Sequence, residues 1–177
     1  MSKLAGLFLF FLISGRTFFA QDVFDAARNG DVKRLEELVK INPDTVNAKN
    51  ASGFTPLIIA GYRDQINAVN FLLDHKADVQ ADSPEGPAIL GACYKGNINL
   101  AKILVAYKAN VNAVNIHGTS ALMYAALSKN VELVKLLLQC GAQRDLVEKS
   151  GKDALAYARM GGAEAIISLL SEDQYRK

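Results

Sequence analysis

The sequence predicts an all-α repeat solenoid, a single elongated domain of five helix-turn-helix units joined by finger loops. Three observations predict it. The segment Gly53-Phe54-Thr55-Pro56-Leu57-Ile58-Ile59-Ala60 returns as Gly118-Thr119-Ser120-Ala121-Leu122-Met123-Tyr124-Ala125 and as Gly151-Lys152-Asp153-Ala154-Leu155-Ala156-Tyr157-Ala158, with a degenerate copy from Gly86. Those glycines are spaced by 33, 32 and 33 residues, and Val46-Asn47-Ala48, Val79-Gln80-Ala81 and Val111-Asn112-Ala113 keep the same beat at 33 and 32. Finally, each cycle carries an apolar stripe at helical spacing. It reads Ile66, Val69, Leu72 and Leu73, then Ile98, Ala101, Leu104 and Val105, then Val131, Val134, Leu137 and Leu138.

The elements follow in chain order. Residues 1–20 read as a cleavable export signal: Lys3 gives a positive start, and Leu4 to Ile13 form a short apolar run. That run falls short of the roughly 20 residues a helix needs to cross a bilayer. Ser14-Gly15-Arg16 break it, and Ala20 offers a small residue for cleavage, with Gly15 as a second option. The alternative is an uncleaved anchor over Leu4 to Phe19, which would make the protein a membrane-tethered scaffold. The mature chain is then 21–177, with repeats over about 21–50, 51–83, 84–115, 116–148 and 149–177.

The first repeat has Ala26-Ala27, Gly30-Asp31 and Leu35 to Val39 in register and no finger before it, as a capping unit requires. In later repeats Thr55, Ser120 and Asp153 stand where a helix begins, and each can cap it through its side chain. Pro56 follows Thr55 at the first helical position, where its missing N–H is harmless. Gly30, Gly96 and Gly162 fall where the chain reverses between helices, a place for positive φ, with Asp64 and Lys129 there in the other copies. Both repeat markers lose one residue in the third cycle, between Gly86 and Ala92. The last copy ends in the polar run Ser171 to Lys177. A single hairpin cannot bury its own apolar face, so the units must stack.

Composition narrows the chemistry. The chain holds 20 Lys plus Arg against 18 Asp plus Glu, and loss of Lys3 and Arg16 with the signal leaves a mature net charge of zero. Nucleic-acid binding needs a clustered cationic excess, so no nucleic-acid partner is expected. His75 and His117 lie in different repeats without ligand-spaced Cys or carboxylates, which predicts no metal site. Cys93 occupies a small buried position shared with Ala27 and Ala126, and Cys140 ends a second helix, so both read as reduced thiols rather than nucleophiles. No Gly-rich phosphate loop follows a strand. The reading is no enzyme, no catalytic residue, no cofactor and no small-molecule substrate. Asn50-Ala51-Ser52 is an N-glycosylation sequon, relevant only in a eukaryotic source.

Gly-x-Thr-Pro-Leu at 53–57, Ala-Leu-Met-Tyr-Ala-Ala at 121–126 and Leu-Leu-x-x-Gly-Ala at 137–142 resemble the ankyrin repeat family over roughly Gln21 to Leu170. The family's His after Leu is Ile58, Met123 and Ala156 here, and the third repeat lacks Thr-Pro. The resemblance implies a protein partner held by a monomer on a concave face lined by first helices and finger tips. Mapped onto this chain, the protein-binding candidates are Arg28, Phe54, Tyr62, Arg63, Glu85, Tyr94, Lys95, Ile116, His117, Leu127 and Lys152. Tyr62-Arg63 and Tyr94-Lys95 should stand side by side, and Phe54 and Ile116 should be exposed apolar finger tips. With an export signal, the expected location is the periplasm of a bacterium, or outside the cell otherwise. The expected role is inhibition or regulation of an envelope enzyme, a hydrolase in the sharper form, of the immunity or self-protection type.

Overall fold

The computed structural model describes residues 22–171; the expected export signal over 1–20 and the last polar residues lie outside the described residues. Within it the chain is helical over 22–29 (α1), Val32–Ile41 (α2), Pro56–Tyr62 (α3), Ile66–Asp74 (α4), Ala88–Tyr94 (α5), Ile98–Ala106 (α6), Ala121–Leu127 (α7), Val131–Gln139 (α8), Ala154–Gly161 (α9) and Glu164–Ser171 (α10). No β-strand is present among these residues, and one isolated bridge joins Val114 and Ser120 in a finger. The helices form five antiparallel pairs. First helices α3, α5, α7 and α9 stack in one layer, and second helices pack behind them, α2 on α4, α6 on α8 and α8 on α10. This is the all-α repeat solenoid.

Local chemistry explains where helices start. Thr55, Ser120 and Asp153 accept from the backbone N–H of Ile58, Met123 and Ala156 at 3.3, 3.3 and 2.7 Å, which satisfies a donor the helix leaves orphaned. Second helices have their own caps: Asp31, Asn97 and Asn130 accept from Arg34, Leu100 and Leu133 at 3.0, 2.9 and 3.0 Å. The third repeat differs. Its α5 begins after Pro87, which makes no side-chain cap, so the missing residue is the counterpart of Phe54 between turn glycine and cap. Ser83 restores that finger by donating from Oγ to the Gly86 carbonyl at 2.9 Å.

The turn within each pair takes positive φ at Gly30, Asp64, Gly96, Lys129 and Gly162. A second series, Lys76, Lys108 and Gly141, takes it after the second helices. The middle residue of the Val-Asn-Ala marker explains why that marker recurs. Asn112 donates from Nδ2 to the Gly141 carbonyl at 3.1 Å and accepts from the Gln143 N–H at 2.8 Å. Asn47 does the same to Lys76 and Asp78, and Gln80 to Lys108 and Asn110. Each marker therefore clamps the turn of the next repeat.

One core runs the length of the stack, from Val23 in α1 to Leu170 in α10. Leu35, Leu72, Leu90, Leu100, Leu104, Leu133 and Leu137 are fully buried within it, and each such burial contributes about 1.5–3 kcal/mol. The buried stripe is shifted from the expected one. Ala68, Leu100 and Leu133 are fully buried, while Ile66, Ile98, Val131, Val105 and Leu138 are only partly so. The reason is that a second helix packs on its own first helix and on its neighbours, which widens and rotates the covered arc.

Candidate functional site

Each finger is a tight turn pinned by its first side chain. Asn50 Oδ1 accepts from the N–H of Ser52 and Phe54, both at 3.0 Å. Asn115 Oδ1 does so from His117 and Thr119 at 2.9 and 3.0 Å. The turns close at Gly53, Gly86, Gly118 and Gly151, all with φ between 81° and 88°. Neighbouring fingers are tied together: the Ile116 N–H donates to the Pro84 carbonyl at 2.9 Å and the Lys149 N–H to the His117 carbonyl at 2.9 Å. The fingers thus form a continuous wall at an angle to the first helices.

Where that wall meets the helices lies a groove of about 420 Å³, lined by Arg28, Asn50, Ser52, Phe54, Ile59, Tyr62, Arg63, Tyr94 and Lys95. Six of the expected residues thereby come together: Arg28, Phe54, Tyr62, Arg63, Tyr94 and Lys95. Arg28, Tyr62, Tyr94, Leu127 and Met160 hold one register position in successive first helices, and Asn29, Arg63, Lys95, Ser128 and Gly161 the next.

Equal register does not give equal fates. Tyr62 is half-buried, because Gly91 leaves room for its ring against α5. Its hydroxyl donates to the Glu85 carbonyl. Burial raises its pKa well above the usual phenol value, with the neighbouring Tyr124 and Glu85 adding to the effect, so it stays neutral. Tyr94 is instead 57% exposed. It meets Tyr124 edge to face at 5.6 Å between ring centroids, and Lys95 Nζ lies 5.7 Å from its own ring centroid. Tyr124 in turn accepts from Asn115 Nδ2 at 3.1 Å, so the exposed ring is braced against a finger.

Phe54, expected to be an exposed finger tip, is partly buried, because its ring packs against the apolar core, where contact with apolar neighbours is favoured over water. Ile116 is 52% exposed, and Glu85 and His117 are exposed on the fingers. Lys152 is turned along its own finger, donating to Ser150 Oγ at 2.6 Å and lying 3.9 Å from Glu148. Leu127 is 54% and Met160 69% exposed, which continues the Tyr94 row toward the C-terminus.

The sequence reading overlooked Tyr124, Tyr157 and Glu148. Tyr124 and Tyr157 stand three residues before Leu127 and Met160, on the same helix face, and that spacing was the available signal. Glu148 replaces the finger Asn, accepts from Tyr157 at 2.8 Å, and its pKa is lowered by hydrogen bonds from Ser150 and Tyr157 despite some desolvation. Among the described residues no three His, Cys, Asp or Glu converge on a possible metal position. His75 stacks on Phe71 at 4.0 Å with Nδ1 2.8 Å from the Phe71 carbonyl. Cys93 is fully buried, and burial pushes its thiol up to about 12, which leaves no thiolate for chemistry near neutral pH.

Comparison with known proteins agrees with this architecture. The family described as "Ankyrin repeats (3 copies)" matches residues 23–83 and 89–177. Similar curated proteins include Ankyrin repeat and SAM domain-containing protein 6 of Rattus norvegicus, 32% identical over 102 residues, which are 56% of this chain and 12% of that protein. Inversin of Gallus gallus is 32% identical over 112 residues, 63% of this chain and 10% of its own length. A probable E3 ubiquitin-protein ligase of Oryza sativa subsp. japonica is 30% identical over 105 residues, 58% of this chain and 21% of its own. The chain thus spans between about a tenth and a fifth of the curated relatives it matches. With the stacked hairpins, the finger wall and a family match over most of its length, the chain belongs to the ankyrin repeat family, a protein–protein interaction module.

Proposed function

We propose that this protein is an exported, monomeric ankyrin module that holds one protein partner in the angle between its fingers and first helices. One observation carries the reading. Tyr94, Leu127 and Met160, 57%, 54% and 69% exposed, occupy one register position on the stacked helices α5, α7 and α9 beside the cationic groove. A continuous row of large apolar side chains in water is unfavourable unless a partner covers it. Aromatic and Arg anchors at such a row supply most binding energy in protein interfaces, and Tyr94 is already held rigid by Tyr124, so it loses little entropy on docking.

The finer reading is that export delivers the module to the cell envelope, where docking inhibits or regulates an enzyme, a hydrolase that threatens the envelope being the fitting target. Short apolar residues 4–13 flanked by Lys3 and Arg16 support export. Intact mass of the native protein tests that part: loss of about twenty residues from 19.1 kDa supports export, and the full mass supports a tether. Crosslinking in the native compartment tests docking. Wild type should capture a partner that a Tyr94→Ala/Leu127→Ala variant loses, and equal capture by both removes this face from consideration.

A further inference from the structure

We infer that the groove beside Tyr94 receives an extended acidic segment of the partner protein, with carboxylates on Arg63 and Lys95 and an apolar side chain seated between Phe54 and Tyr94. This rests on the docking reading above and names the chemistry of what docks there.

The residues that line the groove are charged in one sense, with the Glu85 and Asp82 carboxylates near enough to act on Tyr62 but not part of the lining. The groove walls carry three cations, Arg28, Arg63 and Lys95, and no carboxylate. Arg28 is engaged by Asp25. Arg63 and Lys95 have no ion-pair partner among the described residues, and Lys95 leans only over the Tyr94 ring. Both cap the C-terminal ends of first helices, where the helix dipole favours a base. The dipole is not a sufficient reason for them, because the same register position is Asn29, Ser128 and Gly161 in the other repeats. Bases appear only at the two positions that line the groove.

Geometry selects the shape of the occupant. Packed helices lie about 10 Å apart, so the two cations present charges at roughly that interval. A polyproline-II chain repeats its face every three residues, about 9 Å, so acidic residues three apart would meet both. The floor suits such a chain: Phe54, Ile59, Tyr62 and Tyr94 offer apolar and aromatic contact, and Asn50 and Ser52 offer polar groups at the rim. Two free cations are too few to track a nucleic-acid backbone.

The probe is a fluorescein-labelled peptide with glutamate at every third position and proline and leucine between, paired with a twin carrying glutamine for glutamate. Fluorescence anisotropy on the full chain should show the glutamate peptide binding about tenfold or more tighter than its twin, the gap closing as salt screens the charges. An Arg63→Glu/Lys95→Glu variant should lose that preference. Lys102→Glu, an exposed reversal on the outer helix α6, should retain it. Circular dichroism melts establish that all variants fold. Equal affinity for the two peptides, no binding of the glutamate peptide, or an unaffected Arg63→Glu/Lys95→Glu variant would each overturn the inference. With the native partner the two readings separate. Capture lost by Tyr94→Ala/Leu127→Ala but indifferent to Arg63→Glu/Lys95→Glu leaves the docking face standing and rejects an acidic occupant.

Discussion

Gly91→Ala is the substitution that tests the geometry of the groove most sharply, because two general effects oppose each other there. Gly91 lies in the interior of α5, and alanine in a helix interior is ordinarily worth about 0.5–1 kcal/mol more than glycine. On propensity alone the variant would be stabilised. The packing says otherwise. A Cβ at Gly91 would lie 2.8 Å from Tyr62 Cδ2, 2.9 Å from Cγ and 2.9 Å from the Tyr62 backbone nitrogen. The ring could swing away, but the backbone nitrogen belongs to α3, so relief requires α3 and α5 to separate by about half an ångström. Overpacking of this kind typically costs about 1–3 kcal/mol, which exceeds the propensity gain. The net expectation is a loss of about 1–2 kcal/mol, or roughly 2–8 °C in melting temperature for a chain of this size. Urea and thermal unfolding followed by circular dichroism read it directly. In a Tyr62→Ala background, where two of the three contacts are gone, Gly91→Ala should cost less than it does in wild type but still more than nothing, a comparison read from the double-mutant cycle. If Gly91→Ala melts at or above the wild-type temperature, Tyr62 does not lie in the slot described, and the contrast between Tyr62 and Tyr94 falls with it.

Further expectations concern the joints between repeats and the titrating groups. Asn112→Ala removes both hydrogen bonds that clamp the turn at Gly141 and Gln143 and should cost about 1–2 kcal/mol in urea unfolding; an unchanged midpoint would deny the clamp its role. Cys93, buried with its thiol pushed up to about 12, should resist iodoacetamide in the folded protein at pH 8 and react on unfolding, while the half-buried Cys140 reacts first; peptide mass mapping distinguishes them. Glu148 has a folded pKa below the ordinary 4.5, so its contribution is full above that pH and is lost as pH falls through the lowered value. Protection factors in α9, which allow for the slower intrinsic exchange at low pH, should therefore fall on acidification in wild type and depend less on pH in Glu148→Gln.

The sequence by itself determined the periodic features of this protein. A repeat reuses the same backbone, so any residue whose job is set by local backbone geometry recurs at fixed spacing. Thr55, Ser120 and Asp153 as caps, Gly30, Gly96 and Gly162 at positive φ, and the deletion after Gly86 were all visible in one dimension for that reason. Asp64 and Lys129 were legible at the same turns by register alone. Tertiary structure decided what each side chain at a shared register position does, because its surroundings come from the adjacent repeat. Tyr62 and Tyr94 are equivalent along the chain, yet Tyr62 sinks over Gly91, while the residue facing Tyr94 one repeat on is Tyr124, whose ring props it into solvent. The buried stripe of the second helices rotated for the same cause, whereas Lys152 is bent by partners within its own finger, Ser150 and Glu148. The size of a neighbour some thirty residues away sets exposure, and no local pattern carries that information.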